Sequence, residues 1–216
     1  MPVDLKNIPT FRGLREDKLR ALAAKAVMKS VPKNVVVITE GEFTQSLYVI
    51  LSGKVKVYLS DRSGKELVLD VKGPGEYFGE MALDEGPRSA SVITTEPCQF
   101  AVISMDDFKA VLIEEPEIAL QVINNLIHMT RGLNQNVRSL ALLDVYGRVA
   151  RMLLDSAVEQ GGNHVIPEKL TQQEMASKLG TSREVINRIL RDLTTGGYIK
   201  VEDKKITIIK RLPSKY

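Results

Sequence analysis

Between Asn34 and Ser104 the chain alternates short apolar runs with glycine-containing turns, and no other feature limits its possible folds as strongly. The runs cover residues 35–38, 46–51, 54–59, 66–71, 90–93 and 99–103. Several have a period of two, the pattern of a strand with one buried face. The turn signals Glu40-Gly41-Glu42, Ser52-Gly53-Lys54, Arg62-Ser63-Gly64 and Lys72-Gly73-Pro74-Gly75 separate them. Many short strands joined in this way predict an antiparallel barrel or a jelly-roll-like β-roll. A short helical pattern over residues 8–30, carried by Leu14, Leu19, Leu22 and Val27, precedes it.

From Asp106 to about Glu159 the texture is helical. Pro116 suits the first turn of a long helix, where its missing N–H is not needed. Ala119, Val122, Leu126, Met129 and Leu133 follow 3-4-3-4 spacing, continued by Val137 and Leu140. Such a stripe either packs on its own β-roll or forms a dimer seam; a length of about three heptads favours the homodimer. Asn134 and Asn136 sit beside the stripe and can hydrogen-bond across it. A short break is expected near Asp144-Val145-Tyr146-Gly147.

In the last segment Thr171 and Glu174 form a capping box ahead of a helix over 172–179, which Gly180 ends. Ser182 caps a second helix whose Val185, Ile186, Ile189, Leu190 and Leu193 face inward. Gly196-Gly197 closes it, and a hairpin turning at Glu202-Asp203-Lys204 follows. Helix, glycine turn, helix and hairpin make a winged helix-turn-helix or, more blandly, a three-helix packing unit. The outward residues Arg183, Glu184, Asn187, Arg188 and Arg191 favour the first. Arg183 and Arg188 can each pair bidentately with guanine, and Glu184 can accept from cytosine N4. Thr171, Ser182 and Lys204 suit phosphate contacts.

Charge agrees with this reading. The chain has 216 residues and a net charge of +3. Residues 145–216 hold 13 Lys or Arg and 8 Asp or Glu, a net of +5, so the other 144 residues carry 3 − 5 = −2. A basic C-terminal third points to a polyanion such as double-stranded DNA. Cys98 is the single cysteine, so a disulfide framework and a thiolate-bound cluster are excluded. His128 and His164 have no metal-ligand spacing around them. A β-roll metalloenzyme needs histidines and carboxylates inside the barrel, and residues 1–127 contain no histidine. There is no apolar signal core at the N-terminus and no apolar run approaching the ~18 residues of a membrane span. These features predict a soluble, cytoplasmic protein without a membrane partner.

The string Phe78-Gly79-Glu80-Met81-Ala82-Leu83-Asp84-Glu85-Gly86-Pro87-Arg88-Ser89-Ala90 carries the most chemistry. Gly79 lets the backbone approach a ligand. Met81-Ala82-Leu83 can form one helical turn whose free N–H groups favour a phosphate. Arg88 offers a planar fork of donors. Glu80 would repel a phosphate, so it is better read as an acceptor for sugar hydroxyls. The alternative is a plain β-turn with two solvated charges. The whole string resembles the phosphate-binding cassette of cyclic-nucleotide-binding domains: Phe-Gly-Glu, an aliphatic residue, Ala-Leu, a short gap, Pro-Arg, a small residue and Ala.

The order β-roll with cassette, long helix and winged helix-turn-helix is similar, over essentially the whole chain, to the cyclic AMP receptor protein and fumarate-nitrate regulator family of bacterial transcription factors. Leu140-Ala141-Leu142-Leu143-Asp144-Val145-Tyr146-Gly147-Arg148-Val149-Ala150 is similar to the family's hinge. Gly180-Thr181-Ser182-Arg183-Glu184-Val185-Ile186-Asn187-Arg188-Ile189-Leu190 matches the recognition helix of the cyclic AMP receptor branch, which reads TGTGA half-sites.

The resemblance implies an α+β chain that is a regulator rather than an enzyme. It implies a cyclic-nucleotide-binding β-roll over 1–115, a dimerisation helix over 116–143 and a DNA-binding domain over 144–216. The ligand residues it implies are Gly79, Glu80, Met81, Arg88 and Ser89, joined by Leu133 and Asn134, which stand where the receptor presents a threonine-serine pair to the purine. Cyclic AMP is the expected effector; cyclic GMP, cyclic di-GMP and ligand independence stay open. The iron–sulfur branch needs several cysteines and the haem branch a β-roll histidine, and both are missing despite a Met1-Pro2 start. No metal, haem or iron–sulfur cluster is therefore expected. The loop over 159–164 corresponds to a surface that contacts RNA polymerase, a further implied partner for an activator, and is shorter here.

Overall fold

The structure is a computed structural model that describes residues 5–6, 8–11, 14–161, 163–167, 170–202 and 205–213. Met1-Pro2 and Lys204 lie outside these residues, as does the 203–204 part of the expected hairpin turn. The chain packs as two compact units, 1–59 with 69–131 and 60–68 with 132–216.

Residues 27–104 form two four-stranded antiparallel sheets. One has the order β1-β8-β3-β6, with β1 Val27–Val31, β3 Ser46–Ser52, β6 Tyr77–Phe78 and β8 Cys98–Ser104. The other has the order β2-β7-β4-β5, with β2 Val36–Ile38, β4 Val55–Ser60, β5 Glu66–Lys72 and β7 Ser91–Thr94. β3 pairs with β8 through Leu47↔Ile103 and Val49↔Ala101. Side chains on a strand alternate between faces. Tyr48, Ile50 and Phe100 accordingly enter a core with Val55 and Val92 of the second sheet. Leu47, Val49, Ala101 and Ile103 enter another with the helices α1 Glu16–Lys25, α2 Met105–Glu114 and the start of α3. Burial on both faces is why residues 47–50 read as an unbroken apolar run.

Val27, expected in the N-terminal helix, is instead the first residue of β1, paired with Val102. The helix itself ends at Lys25. β6 is two residues long and was not anticipated. The long helix α3 runs Pro116–Leu142, with Pro116 in its first position. Its apolar residues divide between two faces. Ile118 and Val122 are buried in the helical core and Leu126 packs against it. Leu120, Ile123, Ile127 and Val137 are exposed, and Thr130 and Asn134 continue their 3-4-3-4 spacing. The N-terminal part of the expected stripe, Val122 and Leu126, is thus used by the chain's own β-roll, while its C-terminal part, Leu133, Val137 and Leu140, is exposed.

In the second unit, Asp144 caps α4 Val145–Asp155 by accepting from Gly147 N–H at 2.6 Å. This cap is the break expected between the helices. A hairpin β9 Val158–Gln160 and β10 Asn163–Ile166 replaces the expected loop, with Gly161 in the left-handed region. Helices α5 Gln172–Leu179 and α6 Arg183–Thr195 follow, then β11 Ile199–Glu202 and β12 Lys205–Ile208. The sheet order is β11-β12-β10-β9. Ile186, Ile189, Leu190 and Leu193 of α6 join Tyr146, Val149, Leu153 and Met175 in one core. Among the described residues no helix is long and apolar enough to cross a membrane.

Candidate functional site

The cassette is held in place from below by aromatic packing. Phe78 stacks on Tyr48 at 5.0 Å between ring centroids, and Phe100 meets both rings edge-on. The chain then turns at Gly79, where φ is +91°. A Cβ here would stand 2.7 Å from the Ser46 carbonyl oxygen and 2.9 Å from Arg88 Nη1. Conformation and space both demand glycine. The turn that follows is a 3-10 turn, Glu80–Asp84, one residue earlier than the expected helical turn at Met81. It buries Glu80 and Ala82 and leaves Met81 exposed; the Ala82 N–H bonds the Gly79 carbonyl.

Arg88 is 4% exposed and anchored three ways. Nε donates to Thr44 Oγ1 at 2.7 Å, Nη1 to the Gly79 carbonyl at 2.8 Å and Nη2 to the Ser46 carbonyl at 2.7 Å. A guanidinium has five N–H donors, so this geometry leaves two. Burial lowers its pKa, against the opposing influence of Tyr48, Glu80 and Glu42. The main chain of Arg88 is also zipped to the preceding loop, its N–H bonding the Glu42 carbonyl and its carbonyl accepting from Gly41.

Glu80 is 5% exposed. Burial pushes its carboxyl pKa up, opposed by its own backbone N–H, by Lys72 and by Arg88. Nothing in the residues around Lys72 marks it in the sequence, yet it stands near Glu80. Its side chain is mostly buried, with Nζ 3.1 Å from Asp70 Oδ2. Burial pulls its pKa down, but Asp70 and then Glu80 and Glu76 raise it on balance. Gly79, Glu80 and Arg88 thus converge, while Ser89 is exposed beside them. Leu133 and Asn134 are exposed on the part of α3 that belongs to the other compact unit.

The Glu80 environment makes a testable statement about pH. A carboxyl whose folded pKa exceeds its unfolded value binds protons more tightly in the native state. Stability is then lost as pH rises from the ordinary carboxylate range, near 4.3, toward the raised value. Urea midpoints of wild type should therefore fall relative to Glu80→Gln between pH 4 and pH 7, values chosen to bracket that range. Parallel pH profiles would show that Glu80 is not strained by burial.

On the second unit, Thr171 Oγ1 accepts from Glu174 N–H at 3.2 Å and Glu174 Oε2 accepts from Thr171 N–H at 2.7 Å, completing the expected capping box. Ser182 Oγ accepts from Val185 N–H at 3.4 Å and caps α6. Gly180 sits between the helices at φ +62°. Arg183, Glu184, Asn187 and Arg188 all point outward on α6. Asn187 Oδ1 accepts from Gln172 Nε2 at 3.1 Å, a link between the helices that spacing alone did not reveal. The Glu184 carboxyl is pulled below its usual range by its own backbone N–H and by the Ser182 hydroxyl, so it is held as an acceptor.

Comparison with known proteins matches this division. Residues 28–115 match the model of a cyclic nucleotide-binding domain, and residues 147–212 that of a Crp-like helix-turn-helix domain. A CRP-like cAMP-activated global transcriptional regulator of Mycobacterium tuberculosis is 34% identical over 92% of this chain and 91% of its own length. The cAMP-activated global transcriptional regulator CRP of Pasteurella multocida is 34% identical over 82% and 87%. The c-di-GMP-responsive global regulator CLP of Xanthomonas campestris superposes with a TM-score of 0.77 at 25% identity, covering 91% of this chain and all of that one. A buried arginine–glutamate cassette in a β-roll, a helix-turn-helix with a basic outer face and similarity along nearly the whole length lead to one assignment: the chain belongs to the cyclic AMP receptor protein and fumarate-nitrate regulator family of transcription regulators.

Proposed function

We propose that this protein is a homodimeric transcription regulator that binds palindromic DNA when cyclic AMP occupies the cassette. Residues 1–115 serve as the ligand domain, 116–143 as the dimerisation helix and 144–216 as the DNA-binding domain. The observation that carries the reading is Arg88: a buried cation, fixed by three protein acceptors, with two donors to spare beside a buried carboxyl. Those donors hold the cyclic phosphate with Ser89 and the N–H groups of the turn at Met81. Glu80 accepts from the ribose 2′-hydroxyl. Leu133 lies against the base, and Asn134 of the second subunit hydrogen-bonds its edge. A ligand that binds one dimer arrangement more tightly than another shifts the population toward it, which sets two recognition helices in successive major grooves. The names of the Mycobacterium and Pasteurella relatives support cyclic AMP. A second reading, cyclic di-GMP, is favoured by Lys72, a second cation next to Glu80 that would suit a second phosphate, and by the CLP likeness.

At the DNA, Arg183, Glu184 and Arg188 read a TGTGA-N6-TCACA-like palindrome, Asn187 lies beside them, and Thr171, Ser182 and Lys204 contact phosphates. The β9–β10 hairpin, whose β9 residues are all exposed, is the surface offered to RNA polymerase in the cytoplasm. Selection from random duplexes should enrich the palindrome. Arg183→Ala should cost ~1–3 kcal/mol and relax preference at one guanine, whereas Lys204→Ala should weaken all duplexes about equally. Enrichment of unrelated sites would overturn the base assignment.

A further inference from the structure

Of the rings that support the cassette, Tyr48, Phe78 and Phe100, one carries a hydroxyl. Tyr48 stacks on Phe78 with the ring planes 4° apart, and the two residues pair directly between β3 and β6. The backbone on either side of this stack holds Arg88. The Ser46 carbonyl, two residues before Tyr48, accepts from Nη2 at 2.7 Å. The Gly79 carbonyl, one residue after Phe78, accepts from Nη1 at 2.8 Å. Tyr48 is 8% exposed, and its hydroxyl makes no hydrogen bond among the described residues. Packing here asks for a ring and not for an oxygen, as Phe78 and Phe100 show. A polar group held in a largely buried place without a partner lowers stability rather than raising it.

We infer that the Tyr48 hydroxyl is a further donor to the ligand's phosphate, acting beside Arg88. The inference rests on the reading of the cassette given above. Among the groups that oppose the fall in the Arg88 pKa, Tyr48 comes first, ahead of Glu80 and Glu42, so its oxygen stands close to the guanidinium. A guanidinium has no acceptor, and the proton of a hydroxyl beside it is available to an anion that the arginine attracts. Burial raises the Tyr48 pKa, with Arg88 pulling it down and Glu42 pushing it up; the hydroxyl keeps its proton at neutral pH and can donate. A hydroxyl bonded to an anionic oxygen makes one of the shorter and stronger hydrogen bonds. The stack on Phe78 fixes where the oxygen sits, so binding does not have to order this donor.

Tyr48→Phe removes one oxygen and keeps the ring, which separates this contact from packing. Calorimetric titration of the full-length protein with cyclic AMP should show at least ~10-fold weaker binding, the loss expected for a hydrogen bond to a charged group. Without nucleotide the melting temperature should not fall, because no protein group loses a partner. The two phosphorothioate diastereomers of cyclic AMP identify the contact, since each replaces one non-bridging phosphate oxygen by sulfur, a poor acceptor. The loss caused by Tyr48→Phe should largely vanish with one diastereomer and persist with the other, as two changes that remove the same interaction are not additive. Affinity within ~2-fold of wild type, or an equal loss for cyclic AMP and both phosphorothioates, would overturn the inference. A lower melting temperature in the absence of nucleotide would also overturn it, by giving the hydroxyl a structural role. A wild type that binds neither cyclic AMP nor its phosphorothioates would overturn the reading of Arg88, and the inference with it.

Discussion

Arg88→Ala is expected to abolish cyclic-nucleotide binding and to loosen the β-roll in the same stroke. Arg88 is the donor for Thr44 Oγ1 and for the carbonyls of Gly79 and Ser46. Leaving a buried acceptor unpaired costs ~1–3 kcal/mol, so the fold should lose a few kcal/mol even without ligand. The cyclic phosphate loses its countercharge at a further cost of ~2–5 kcal/mol in affinity. Arg88→Lys should rescue little. A lysine carries one point charge and cannot span three acceptors and a phosphate together. Calorimetric titration and thermal melting of the three proteins separate the two effects. Wild-type affinity for cyclic AMP in the alanine variant would remove the cassette from the account.

The second large effect is expected at Ile127, not at its neighbour Leu126. Periodicity alone places Leu126 on the dimer seam. In the structure Leu126 packs against the core formed with Ile118 and Val122, while Ile127 remains 43% exposed. Ile127→Glu should leave each subunit folded and set two like charges against each other across the seam, a cost of several kcal/mol. Sedimentation should show monomer, and affinity for a full palindrome should collapse. Leu126→Glu should instead lower the melting temperature by burying a charge against the β-roll. A stable dimer in the Ile127→Glu variant would place the interface elsewhere.

The β-roll was legible because most of its strands either alternate visibly or, like residues 47–50, are buried on both faces and read as continuous apolar runs. β1 was not: its burial does not alternate, since four of its five residues are exposed at the sheet edge, so Val27 was absorbed into the helical pattern before it. The β9–β10 hairpin was missed for a similar reason. Val158, Glu159 and Gln160 are all exposed and show no apolar period. In the candidate site, Gly79, Glu80 and Arg88 lie within ten residues and form a string that local reasoning can weigh. Thr44, Ser46 and Lys72 reach Arg88 or Glu80 only after the sheets have formed, and nothing in their own neighbourhoods marks them. On α3 two apolar faces give overlapping 3-4 patterns, so periodicity cannot tell that Val122 and Leu126 pack on the β-roll while Leu133, Val137 and Leu140 of the same stripe stay exposed.

Coupling between the cassette and the DNA-reading helix is the centre of the account. It is tested most directly by measuring affinity for the selected duplex with and without saturating cyclic AMP. Coupling free energies of this kind correspond to a change of ~5- to 150-fold, and an increase within that range is the expected result. Equal affinity in the two conditions, with the duplex still bound selectively, would contradict ligand gating by cyclic AMP.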